Sequence, residues 1–86
     1  MEYGVFANLA AINSGYLINA RDTLIAAVAL APTDAKLHYY LGLTYARLGQ
    51  IDLSLETLKE TIALKSDYKD AVDAYAIILK AVKEAK

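Results

Sequence analysis

The sequence predicts an all-α fold of stacked antiparallel helical hairpins, built as two repeats followed by a C-terminal capping helix. Three observations predict it. Apolar residues recur at three- and four-residue spacing along most of the chain, which is the period of a helix with one buried stripe. One constant offset aligns the chain with itself without a gap, pairing Leu9 with Leu43, Gly15 with Gly49, Thr23 with Thr57, Leu24 with Leu58, Ala29 with Ala63 and Leu30 with Leu64. Breakers are sparse, with one proline and four glycines, and Gly15, Pro32 and Gly49 fall where such hairpins would turn. The units are residues 1–34, residues 35–68, and residues 69–86 as a cap or the start of a third repeat, all within one domain.

The stretch His38 to Gln50 organises the rest. Leu41, Gly42 and Tyr45 place a bulky residue, a bare backbone and an aromatic on neighbouring helical turns. Glycine inside a helix costs about 1 kcal/mol against alanine, so Gly42 predicts close approach by another helix. Gly49 is expected to end the helix with a positive φ.

In chain order, the first helix is expected over residues 3–14, on the spacing of Phe6, Leu9, Ala10 and Asn13. Asn13-Ser14-Gly15 reads as its stop. The second spans residues 17–31, with Leu17, Ala20, Leu24, Ala27, Val28 and Ala31 facing inward. Pro32 stops it, and Thr33 or Asp34 can cap the next helix. The third spans residues 35–48, and the fourth spans residues 51–64 with Ile51, Leu55, Leu58 and Ile62 inward and Glu56, Lys59 and Glu60 solvated. Ser66-Asp67 is the expected N-cap of the fifth, from Tyr68 to about Ala85, whose Ala71, Val72, Tyr75, Ile78, Leu79 and Val82 recur at helical spacing. Its middle is apolar nearly all round, so a partner, a further repeat or a second copy is expected over Ile77.

Composition bounds the function. A chain of 86 residues buries only about 60–65% of its unfolded surface. Without cysteine it has no disulfide or thiolate-ligated metal to staple it. Hydrophobic residues reach 57%, above the roughly 45–50% usual for a soluble domain. Net charge is −1, which supplies no electrostatic attraction for nucleic acid. Residues 1–34 carry only Glu2, Arg21, Asp22 and Asp34 as charges, a bareness that suits a face meeting another protein or another copy. The longest unbroken apolar run, Leu24 to Ala31, is far short of the ~20 residues of a membrane span, so no direct membrane insertion is expected. Met1-Glu2 lacks the basic start of a signal peptide, and a cytoplasmic location is the resulting expectation.

At these residues the chain resembles the tetratricopeptide repeat family, whose pattern runs W-x2-L-G-x2-Y, then A-x3-F, then P, at a period of about 34. The second unit supplies His38-x2-Leu41-Gly42-x2-Tyr45, then Ser54-x3-Leu58, then Ser66. The first supplies Ala20-x3-Leu24 and Pro32, with Gly4, Ala7, Asn8 and Ala11 in a weaker opening helix. The departures are His38 for the usual aromatic, Ser66 for proline, and that first helix. The resemblance implies a right-handed superhelix with a concave groove lined by the first helix of each hairpin, and a non-catalytic role in holding a peptide, a helix or a subunit.

On that implied geometry the groove carries Val5, Leu9, Ile12, Lys36, Tyr39, Leu43, Arg47 and Ile77, with Glu2, Asn13, Ala46, Asp70, Asp73 and Lys80 around them. One subgroup of the family grips C-terminal carboxylates with lysines and asparagines here. This chain has Val5, Leu9, Tyr39 and Leu43 at those places, so an apolar partner is expected instead. The alternatives are a homodimer through the same bare surfaces, and an accessory domain of a larger enzyme or membrane protein.

No residue pattern supports chemistry. His38, the single histidine, has no cysteine or carboxylate set around it, so no metal site is expected and the ring is assigned to the hairpin seam. Ser14, Ser54 and Ser66 have no base partner at usable spacing, and no glycine-rich phosphate loop or other cofactor motif is present. The tyrosines lack the basic stripe of a base-stacking platform. Tyr40, Tyr45 and Tyr75 are assigned to packing, and Tyr39 to an exposed anchor.

Overall fold

The computed structural model describes residues 14–85, and among them it is all-α, without strands. Four helices follow one another: α1 (Ser14–Leu30), α2 (Ala35–Arg47), α3 (Ile51–Leu64) and α4 (Lys69–Glu84). Each packs on its neighbour in chain order, α1 on α2, α2 on α3 and α3 on α4, and the α2–α3 hairpin has the closest association. The expected first helix, residues 3–14, lies outside the described residues save for Ser14.

The ends of α2 are built by side-chain and backbone chemistry that its sequence announces. The Asp34 carboxylate accepts from the backbone N–H of Lys36 at 3.0 Å and of Leu37 at 3.4 Å, meeting two donors that the first turn leaves free. At the other end Gly49 takes φ +80°. That residue lets the Gln50 N–H reach the Tyr45 carbonyl at 2.9 Å while the Gly49 N–H bonds Ala46 at 3.0 Å, the Schellman pattern of a helix stop.

The other two expected boundaries differ. Asn13-Ser14-Gly15 does not stop a helix at Gly15, because α1 runs through it. Gly49 alone among the described glycines has positive φ. Glycine permits that conformation without demanding it, and the apolar run after Gly15 gives helical residues enough packing to outweigh its propensity cost. Nor do Ser66 and Asp67 cap α4. The cap falls at Tyr68 without a side-chain bond, and the Asp67 carboxylate lies 3.6 Å from the Lys65 ammonium. The Tyr68 ring packs on Tyr39 at 5.1 Å between centroids, and this contact holds the point from which α4 starts.

The expected stripe on α1 is the face turned inward, since Leu17, Ala20, Leu24, Ala27, Val28 and Ala31 are all half-buried. The deepest layer is less apolar than the periodicity suggests. Leu41, Leu58 and Ala71 are its hydrophobic members, and beside them His38, Thr44, Ser54, Thr57 and Thr61 are buried. Val72, expected inward, is 40% exposed, and Ala74 is half-buried in its place.

Candidate functional site

The α2–α3 seam sets the spacing of the candidate surface. A Cβ at Gly42 would stand 2.9 Å from Cγ of Leu58, a fully buried side chain, so only glycine lets α3 come this close. Here the close approach expected from Gly42 is realised. The Ser54 hydroxyl donates to the Gly42 carbonyl at 2.8 Å across the same contact. Thr44 and Thr61 return their hydroxyls to carbonyls one turn back, Tyr40 at 2.8 Å and Thr57 at 2.9 Å. The sequence carries a signal for Ser54 in its place one turn before Leu58. Its role as a buried donor follows only once Gly42 is seen beneath it.

His38 closes the seam at the start of α2, as expected. Its Nε2–H donates to the Pro32 carbonyl at 2.8 Å. Its Nδ1 is buried without a hydrogen-bond partner, 3.9 Å from a Glu60 carboxylate oxygen.

The expected groove residues fall into three sets. Val5, Leu9 and Ile12 lie outside the described residues. On α2, Lys36 and Arg47 are exposed, and Tyr39, Leu43 and Ala46 are half-buried. On α4, Asp70, Asp73, Ile77 and Lys80 are exposed, and Ile77 reaches 68%. Asp73 is paired one turn back with Lys69 at 3.2 Å.

Tyr39 is not the free anchor expected. Its ring lies between Tyr40, at 5.7 Å, and Tyr68, at 5.1 Å, and Tyr40 is the more exposed of the neighbours at 46%. Burial foremost, then the negative charge of Asp70, raises the Tyr39 phenol above its ordinary 10.0, and Arg47 opposes the shift. Burial and the neighbouring tyrosines raise Tyr68 in the same way. Sequence periodicity misses this cluster because Tyr68 sits in the loop before α4.

An open concavity of about 580 Å3 runs along α3 and is walled by Tyr75 from α4. Asp52, Glu56, Lys59 and Glu60 line it, so the face expected to be plainly solvated forms one side of a shallow trough. Among the described residues no set of three His, Cys, Asp or Glu side chains gathers as for a metal ion, and no helix is long and apolar enough to cross a membrane. Comparison of the chain with family models, with characterised proteins and with solved structures gives no match.

Proposed function

We propose that this chain is a non-catalytic protein-interaction module of the tetratricopeptide type, which holds an apolar peptide or helix in a groove lined by α2 and α4. The observation that carries the reading is Ile77, 68% exposed on α4. In sequence it stands one repeat period after Leu43, which itself stands one period after Leu9, so an aliphatic residue recurs at that place in the repeat. A large apolar residue left in water at that position has its use when a partner covers it. The local geometry supports the hairpin reading too: glycine under leucine at the seam, a Schellman turn at Gly49, and the packing of each described helix on its neighbour in chain order. Lys36, Arg47, Asp70 and Lys80 would form a mixed-charge rim, which selects no strongly charged ligand.

The test is a selection of amphipathic peptides against the whole chain, followed by titration of the selected peptides against Ile77→Glu and Leu43→Glu. Ile77→Glu is the more informative change because its side chain is already exposed and the fold does not need it. Loss of at least about tenfold in affinity with unchanged helicity supports the groove. Equal binding by both variants overturns it.

A further inference from the structure

The trough along α3 carries an inference that does not rest on the groove. Asp52, Glu56 and Glu60 line it at four-residue steps, so three carboxylates stand one above another about 6 Å apart. Lys59 is the single cation of its lining. Among the described residues neither Asp52 nor Glu56 forms an ion pair with a lysine or arginine. Beside the carboxylates lie Leu55 and Ala63 from α3 and the Tyr75 ring from α4. Carboxylates over apolar ground suit charged heads carried on hydrocarbon stems.

A separate observation at the end of the trough points to the same kind of ligand. Glu60 and Ala63 also line a smaller concavity of about 220 Å3, completed by Pro32, His38 and Leu64. The His38 side chain is only 10% exposed there, and its Nδ1 has no hydrogen-bond partner. In the tautomer that donates to Pro32, Nδ1 carries a lone pair, and a carboxylate such as Glu60 only accepts. Their 3.9 Å separation is too long for a hydrogen bond and suits two acceptors around one shared donor. The Glu60 side chain is 62% exposed and can turn aside, so an N–H group from outside can enter between them.

We propose that the trough receives a helix of a partner protein that bears arginine or lysine one turn apart. Basic residues at every fourth position of such a helix repeat at the same ~6 Å as the carboxylates. Their heads meet Asp52, Glu56 and Glu60, their stems lie on Leu55 and Ala63, and the last head is shared by Glu60 and His38. Arginine suits the site better than lysine, because its planar fork matches a carboxylate and stacks on a ring such as Tyr75.

The probe is an alanine-based peptide of about 16 residues with arginine at every fourth position, titrated against the whole chain. Binding should weaken steeply as salt rises from about 0.05 to about 0.5 M. Glu56→Lys should lower affinity about tenfold or more with helicity unchanged, since that side chain is exposed. Asp67→Asn removes a carboxylate outside the trough and should leave affinity as it was. A peptide of the same composition with its arginines at successive positions winds them round the helix, and should bind about tenfold more weakly or worse. His38 is the only histidine, so its ring signals are read alone by NMR and should shift as the peptide binds. No binding, equal binding by Glu56→Lys or by the successive-arginine peptide, or His38 signals that stay still at saturation would each overturn the assignment. Self-association of the chain without peptide, abolished by Glu56→Lys, would give the trough to a second copy and overturn it too.

Discussion

Ser54 donates its hydroxyl proton to the Gly42 carbonyl at 2.8 Å, across a contact where no other residue than glycine fits beneath Leu58. The bond and the close approach depend on each other. Ser54→Ala should cost about 1 kcal/mol, the net value of one buried hydrogen bond. Gly42→Ala gains about 1 kcal/mol of helix propensity and loses about 1–3 kcal/mol to overpacking. Because Leu58 is fully buried and has no room to retreat, a net loss is expected. Urea denaturation of both variants and the double variant checks this, and the double should fall short of the sum.

Gly49 and Gly15 should respond to alanine in opposite directions. Both have open space around a would-be Cβ, so sterics beyond the backbone play no part. At Gly49, with φ +80°, alanine should destabilise by about 1–2 kcal/mol. At Gly15, within α1, it should stabilise by about 0.5–1 kcal/mol. Thermal melts of the two variants decide whether Gly15 is a helical residue, as the fold has it, or a turn.

Asp34→Ala should cost about 1 kcal/mol, since it frees the N–H groups of Lys36 and Leu37 together. Asp34→Ser should recover most of it. Guanidinium midpoints for the three chains provide the comparison.

Tyr39 and Tyr68 give the fold an alkaline limit. Burial raises both phenols above 10.0, so the folded chain holds the neutral form more tightly than the unfolded chain does. That contribution is fully present below about pH 10 and is lost as pH rises through the raised folded values. Denaturation midpoints taken between about pH 8 and pH 11 should fall at the upper end. The double change Tyr39→Phe and Tyr68→Phe keeps the ring contact and should flatten that fall.

Helix existence is readable in the residues because it depends on local chemistry. Pro32 after one apolar period, Asp34 before the next and Gly49 at its end act within a few residues of themselves. The stripe from Leu17 to Ala31 is readable for the same reason. Depth is not. Ser54, Thr57 and Thr61 count as polar in any periodic pattern, yet they lie deeper than Ile51 or Leu55 because two of them return hydroxyls to backbone carbonyls and the seam is too narrow for larger groups. The surroundings of Tyr39 escape the sequence for a related reason: its partner Tyr68 lies beyond the whole of α3 and outside any helix, so no spacing rule connects them. At Gly15 the repeat alignment suggests a turn, and mistakes the backbone freedom of glycine for a requirement.

The buried apolar residues Leu41, Leu58 and Ala71 sit one to a helix, on α2, α3 and α4 in turn. They form a line of rivets and not a drop of oil. Among the described residues no central mass of side chains exists whose melting would release every helix at once, so order is held by successive joints between neighbours. The joint at Gly42 is the tightest, and α1 and α4 depend on it more than it depends on them. Heat or denaturant should open the outer helices first, so the surfaces offered to a partner belong to the parts of the chain that loosen most readily, and a partner that covers them would also hold the line together.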